Sequence, residues 1–499
     1  MKISTKSPHF LLKALLVVLS LFPLWAATLQ DNKFLNDDTL ITLTYAKNLA
    51  RGNGFVFNHP PPTLGTTTPL LTLFVAGCSL FLIQIEITTI AIFFTAFCWI
   101  LIIWVIYLFR LNLALKDWQA VIIILVILAS GWLTFLGMEA YLFSLLLVLS
   151  VCLFYSNQFF LTGMVTGLLF LTRGEGFLVL GMMVLLRLFA EWRAIGKRSF
   201  RSFRPIISLL VGFFSIFIPW FFYAQATFGS FLPNTLTAKM VQGQLPFGKS
   251  FLRRLFSEWI PAWGNPFEIK KFPLLNFWWL MVIIGTISSI MRKSRWLFFL
   301  VWILVYTLAY LLLGVSAYWW YQLPILFVLQ IFAGLGLIKV IEGIAKFVKT
   351  PILKGLLSYS IIGIFLFLLS LPTLKAAIYS KGDPRGDSYL KLCDWVKGNT
   401  RPHESIAFIE IGYLGYFTNN TIIDLAGLMN PKIMPYIKKN DFSSGFWRSR
   451  PDYYIHLKDF DWVLGRIRIN PRFNREYEPL ATLPGPRKEP FIIFKRIKL

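Results

Sequence analysis

The chain has 499 residues, of which 56% are hydrophobic, 17% aromatic and only 15% charged, with a formal net charge of +25. A soluble globular domain carries about 25% charged residues, so this composition, with a mean hydropathy of +0.64, points to a polytopic helical membrane protein. The positive excess does not point to nucleic acid: Lys and Arg gather in short segments between apolar runs, as topology-setting loops facing anionic lipid do.

The first apolar run, 11–29, has Lys2, Lys6 and Lys13 on its basic flank. No clear A-x-A cleavage site follows, and its length predicts a retained signal anchor. Directly after it stand Asp37 and Asp38, in Asn36-Asp37-Asp38-Thr39-Leu40-Ile41. Two adjacent carboxylates beside a hydrocarbon layer are costly unless water, a cation or chemistry uses them. They also read as the opening of a helix, whose N-terminus favours negative charge. Further spans are predicted at 88–109, 119–136, 138–156, 159–173, 176–191, 206–226, 273–291, 295–314, 322–341 and 353–374, which makes about eleven with the first.

The stretch 69–85 decides the orientation. If it crosses, Arg187–Arg204 and Arg292–Arg295 fall outside. If it lies at the interface as a juxtamembrane helix, Arg110/Lys116, Arg187–Arg204, Arg292–Arg295 and Lys339–Lys354 all fall inside with the N-terminus. The second arrangement puts loops 30–87 and 227–272 and the segment 375–499 on the outer face. A division follows: a transmembrane domain, 1–374, and a small C-terminal extracytoplasmic α/β domain, 375–499. The latter predicts a helix near Asp387–Lys397 and strands at Ser405–Ile411, Thr421–Leu425, Asp452–Leu457, Asp461–Leu464 and Phe491–Lys495. Cys78, Cys98, Cys152 and Cys393 show no paired spacing, so neither a disulfide framework nor a zinc site is expected.

On this topology one face gathers Asp37, Asp38, Glu139, Arg173, Glu175, the loop 228–239 with Asn234 and Lys239, and the aromatic run Tyr318-Trp319-Trp320-Tyr321. Bland readings stand beside each. Arg173 and Glu175 pair with each other across a helical hairpin, Lys239 snorkels to headgroups, and residues 318–321 form an interfacial belt. His59, next to Pro60–Pro62, reads as structural. Taken together, several acids, two cations and aromatic surface suit an anionic, sugar-bearing lipid.

The first-loop block Asp37-Asp38-Thr39-Leu40-Ile41…Tyr45-Ala46-Lys47-Asn48-Leu49…Gly52-Asn53-Gly54-Phe55-Val56-Phe57-Asn58…Thr67-Thr68-Pro69-Leu70 resembles the first outer loop of GT-C glycosyltransferases. It is most similar to the bacterial arabinosyltransferase-like branch, and more distantly to lipid A aminoarabinose transferases and protein O-mannosyltransferases. Gly137-Met138-Glu139, Leu171-Thr172-Arg173…Glu175-Gly176, Leu232-Pro233-Asn234-Thr235…Lys239 and Glu410-Ile411-Gly412…Asp424-Leu425-Ala426-Gly427-Leu428 match further blocks in order, with Gly174 where proline is expected.

The resemblance implies an inverting membrane glycosyltransferase that moves a monosaccharide from a polyprenyl phosphate donor to an envelope glycan, lipid or protein acceptor. It implies Asp37 as base, with Asp38 holding acceptor hydroxyls or a divalent cation. Which of the two is the base stays open, because their titrations are coupled. Arg173, Lys239 and Asn234 are the candidates for the donor phosphate. Glu139, Glu175, Tyr318, Tyr321 and Glu410 are candidate substrate-lining residues, and Tyr413 and Asp424 lie in turns that would face the site. A flippase for lipid-linked saccharides would need polar residues through mid-span and paired repeats. That reading, a surface-polysaccharide polymerase or ligase and a non-catalytic scaffold are the alternatives.

Overall fold

The computed structural model describes residues 8–58, 62–130, 136–193, 203–245, 250–263, 276–379 and 385–497. His59 and the basic residues Lys197, Arg198 and Arg201 lie outside them. The chain runs through α1 (Pro8–Thr28), then α2 (Asp37–Ala50) and α3 (Pro69–Phe81), and returns to the bundle at α4 (Ile87–Leu108). There follow α5 (Asp117–Ala129), α6 (Ala140–Tyr155), α7 (Phe159–Thr172), α8 (Gly176–Arg193) and α9 (Arg204–Phe228). A second excursion carries α10 (Asn234–Gly243), α11 (Phe251–Arg254) and α12 (Ile260–Ala262). The apolar part then closes with α13 (Phe277–Met291), α14 (Leu297–Leu313), α15 (Leu323–Phe347) and α16 (Pro351–Tyr379).

Every predicted span overlaps one of these helices, while residues 131–135 of the span 119–136 and 273–275 of the span 273–291 lie outside the described residues. Segments of α1, α4, α9, α15 and α16 are long and apolar enough to cross a membrane, while α3, α5, α6, α7, α13 and α14 are shorter apolar helices. Close backbone approach joins some of them. A Cβ on Gly163 of α7 would lie 2.0 Å from the Leu209 carbonyl of α9. The bare glycine therefore lets the two helices touch, the packing that serves where no hydrophobic effect drives association.

Two sets of contacts define the ends of the bundle. The end of α1 and the start of α4 lie side by side, with Asn32 Nδ2 donating to Glu86 Oε2 at 3.3 Å. The segment between them thus leaves and returns on one face, and α3 lies against α4 with the Phe74 and Phe94 rings stacked 3.8 Å apart. At the other end the basic segments meet. Arg295 donates to the Asn112 carbonyl, Tyr155 Oη to the Arg295 carbonyl at 3.3 Å, and Gln119 Nε2 to Glu342 Oε1 at 2.8 Å.

The C-terminal region holds α17 (Gly386–Asn399), β1 (Ser405–Phe408), α18 (Gly412–Phe417), β2 (Thr421–Asp424), β3 (Tyr453–His456), β4 (Tyr477–Leu483) and β5 (Phe491–Arg496). The sheet order is β2-β1-β3-β5-β4. Strand β1 runs parallel to β2 and β3, and β5 antiparallel to β3 and β4. Two expectations are corrected here. Residues 461–464 are not a strand but the start of a helix, Asp461–Arg468, whose Val463, Leu464 and Ile467 are buried at helical spacing. Strand β4, which contains Pro479, lies where no strand was predicted. It runs along a sheet edge with a register shift between Pro479 and Ala481, where a residue without an N–H is tolerated.

This region sits on the first excursion through polar bonds. Asn58 takes the place of a pairing partner for β2, its amide donating to the Ile422 carbonyl at 2.7 Å and accepting from the Ile422 N–H at 3.1 Å. Lys47 donates to the Tyr416 carbonyl.

Candidate active site

Helix α2 begins with Asn36 as its cap, the side chain accepting from the Thr39 N–H at 2.8 Å, and with Asp37 and Asp38 in its positive first turn. Successive residues on a helix point about 100° apart, so these two acids face different surroundings. Asp38 lines a cavity of about 700 Å³ between α2, α7, α8, α9, α10 and the 310 turn 319–322. Asp37 does not line it. Its Oδ1 accepts from the N–H groups of Gly412 and Tyr413 at 2.8 and 3.2 Å.

The polar end of the cavity holds two ionic clusters. In the first, Lys239 Nζ of α10 lies 3.5 Å from Asp38 Oδ2 and 4.7, 5.1 and 5.6 Å from the ring centroids of Tyr318, Trp320 and Tyr321. Burial, the largest single influence, works against the ammonium, but the Asp38 carboxylate together with Tyr321 and Tyr318 outweighs it and holds the Lys239 pKa above the ordinary lysine value. In the second, Arg173 donates to Glu139 Oε1 at 3.0 Å, to Glu175 Oε1 at 3.1 and 2.8 Å, and to Tyr310 Oη at 3.1 Å. Tyr310 in turn donates to Glu175. The hairpin pairing of Arg173 with Glu175 is therefore present, with Glu139 added.

Beyond the charges, Thr42, Thr66 and Thr68 line the cavity with mutually bonded hydroxyls at 3.2–3.3 Å. The remaining wall is apolar: Phe170, Phe177, Phe214, Phe217, Trp220 and Phe231, from α7, α8, α9 and the loop after it. Phe177 is 56% exposed and Phe214 40%, so this wing opens at the lipid-facing surface of the bundle. On the opposite side the C-terminal region closes the cavity with Leu428 and Met429. Their loop is held by Asn234 Nδ2, which donates to the Gly427 and Leu428 carbonyls at 2.8 Å each, and by Gln242 Nε2, which donates to the Ala426 carbonyl at 3.1 Å.

Of the residues singled out in the sequence, the cavity brings together Asp38, Glu139, Arg173, Glu175, Lys239 and Tyr321. Tyr318 contributes its ring to the Lys239 cage, and its hydroxyl donates to Gln242 Oε1 at 2.8 Å. Three others lie elsewhere. Asn234 spends its amide on the C-terminal loop, Asp37 faces α18, and Glu410 is bonded by Arg385, just before α17, and by Tyr389 within it. Asp37 and Asp38 thus diverge, Asp38 toward the cavity and Asp37 Oδ1 toward the start of α18. Among the described residues no three His, Cys, Asp or Glu side chains converge. Tyr310, Trp320 and the threonine hydroxyls were not among the predicted lining residues. For Tyr310 a signal existed: Trp302, Tyr306 and Tyr310 recur every fourth residue along α14, and all are buried.

With this geometry in view, comparisons with known proteins show what the chain is similar to. A family model described as "Domain of unknown function (DUF8728)" matches residues 378–494. No curated protein sequence matches the chain. Solved structures do. ArnT from Cupriavidus metallidurans bound to undecaprenyl phosphate is similar with a TM-score of 0.60 at 12% identity, over 98% of each chain. The oligosaccharyltransferase AglB from Archaeoglobus fulgidus, in complex with an inhibitory peptide and a dolichol phosphate, is similar with a TM-score of 0.59 at 11% identity, over 98% of this chain and 74% of that one. The apo form of the Archaeoglobus fulgidus oligosaccharyltransferase reaches 0.62 at 12% identity, over 95% and 73%. Over 95–98% of its length the chain thus has the fold of these structures.

Proposed function

We propose that the protein is an inverting membrane glycosyltransferase that takes a monosaccharide from a polyprenyl phosphate. The observation that carries this reading is the two-sided cavity. Its polar end offers one carboxylate and one ammonium 3.5 Å apart, and its phenylalanine-rich wing opens toward lipid. A phosphate head with an isoprenoid tail has the same two parts. The similar structures, determined with undecaprenyl phosphate and dolichol phosphate, support the same class of ligand. The cavity lies at the end opposite the basic segments, so the positive-inside rule supports an outward-facing site in the plasma membrane with a cytoplasmic N-terminus. Nucleotide sugars are not expected there, and a lipid-carried donor is.

In the proposed step, Asp38 Oδ2 takes the proton of the acceptor hydroxyl as its oxygen bonds to the anomeric carbon from the side opposite the phosphate. The bond from that carbon to the phosphate oxygen breaks, and its electron pair leaves with the phosphate. Lys239, released from Asp38, receives the leaving charge. The acceptor is an envelope glycan, lipid or protein. The test is Asp38→Asn in membranes supplied with a labelled polyprenyl phosphate monosaccharide, where transfer should fall by roughly 10²–10⁴-fold. Transfer at the wild-type rate would remove Asp38 from the base role.

A further inference from the structure

The neighbouring Asp37 has a separate part to play, one that rests on this reading of Asp38. The geometry points to Asp37 as a positioning residue: its carboxylate clamps the C-terminal α/β region onto the first turn of α2, and that clamp aims Asp38 into the cavity.

Four observations build the clamp. Asp37 Oδ1 accepts two backbone N–H bonds, from Gly412 at 2.8 Å and Tyr413 at 3.2 Å. These two amides open α18, which packs directly on α2. The backbones also touch: a Cβ on Gly412 would lie 2.0 Å from the Asp37 carbonyl oxygen. Tyr413 then reaches past α2, its hydroxyl donating to the Leu35 carbonyl at 2.6 Å, with both residues buried. The chain just before the Asp37-Asp38 pair is thus pinned as well. Finally, Glu410 is bonded by Arg385 and Tyr389, which joins the loop entering α18 to α17. The turn that carries Asp38 is therefore seated on a second structural layer, by contacts that span 375 residues of sequence.

The same geometry keeps Asp37 out of proton transfer. Its carboxylate faces α18, and it is not among the residues that line the cavity. Asp38, which does line the cavity, is therefore the better placed of the two for a hydroxyl bound there. Burial, followed by the Glu410 and Asp38 carboxylates, pushes the Asp37 carboxyl well above the usual range, against the opposing pull of Arg385 and the Tyr413 N–H. An uncharged group with an oxygen acceptor therefore suits the position.

That property separates a clamp from a base. Asparagine keeps the acceptor oxygen and cannot take a proton; alanine keeps neither. For the full-length protein in lipid membranes with a labelled polyprenyl phosphate monosaccharide, Asp37→Asn should transfer at close to the wild-type rate. Asp37→Ala should lose roughly 10²-fold in kcat, as misplacement of a reacting group does, with the donor KM little changed. Asp37→Asn falling as far as Asp37→Ala would overturn the proposal and return Asp37 to the base role. A second measurement does not depend on activity. Amide exchange at Gly412 and Tyr413 should speed up about tenfold in Asp37→Ala, as loss of a buried hydrogen-bond acceptor predicts, and stay near wild type in Asp37→Asn. Unchanged exchange in Asp37→Ala would also overturn the clamp. Full activity in Asp38→Asn would instead sink the catalytic reading, and the exchange result would still decide the clamp.

Discussion

Two ion clusters share the polar end of the cavity, and the difference between them is one of closure. Around Arg173, three nitrogens are taken up by Glu139, Glu175 and Tyr310, and Tyr310 closes the ring on Glu175. The guanidinium is 6% exposed and has two carboxylates for its one charge. Lys239 has one carboxylate, at 3.5 Å, and otherwise sees aromatic faces. A phosphate approaching Arg173 must displace a finished network. Approaching Lys239, it exchanges one long ion pair for another. On the proposed reading, one of the two cations at this cavity holds helices together and the other changes partners.

Removing each cation should break that comparison in different places. Arg173→Ala leaves Glu139 and Glu175 buried without a counter-charge. Breaking such a network by removing one partner costs about 3–5 kcal/mol, so the variant should show a large loss of thermal stability in detergent. A variant that melts like wild type yet binds donor poorly would move Arg173 to the phosphate. Lys239→Met keeps the stem and the aromatic contacts and leaves Asp38 half-solvated, so stability should change little. The donor KM should rise by roughly 10–100-fold, the worth of a charge-assisted bond to phosphate. An unchanged dependence on donor concentration would discard Lys239 as the phosphate contact.

These contrasts were only partly legible in the sequence. Length and apolarity are strong signals, and each predicted span met a helix. Parity of the basic segments predicted that 69–85 does not cross, and the Asn32–Glu86 contact at the ends of α1 and α4 agrees. Short segments were weaker. The run Trp462-Val463-Leu464 suits a strand or a helix, and only the burial of Ile467 one turn further on distinguishes them. At the site, residue types and their shared face were readable, since Asp38, Glu139, Arg173, Glu175 and Lys239 do converge. Direction was not. Adjacent aspartates carry the same chemistry in a sequence, and which one faces the cavity depends on where α18 docks, some 375 residues away. Asn234 shows the same limit. Its position beside the cavity was foreseen, but its amide is consumed by carbonyls of a loop that sequence alone does not bring near.

A further buried carboxylate sharpens the comparison, because among the described residues it has no cation partner. Asp424 Oδ1 accepts from the Ala426 N–H and Oδ2 from the Met429 N–H, both at 2.7 Å, and so shapes the loop that presents Leu428 and Met429 to the cavity. Burial pushes its carboxyl from 3.8 up to about 6, with the amides of Met429, Ala426, Leu428 and Gly427 pulling the other way. The sign follows from which state holds the proton more tightly. The folded loop does, so this contribution to stability is complete below about 4 and is lost as pH rises through about 6. Amide exchange of residues 425–429, corrected for intrinsic rates, should therefore show stronger protection at pH 5 than at pH 7. Asp424→Asn, which keeps an acceptor and never ionises, should flatten that difference. Protection that is independent of pH in the wild type would mean that the backbone amides offset the burial of Asp424 in full, and the loop that carries Leu428 and Met429 would then be held alike at both pH values.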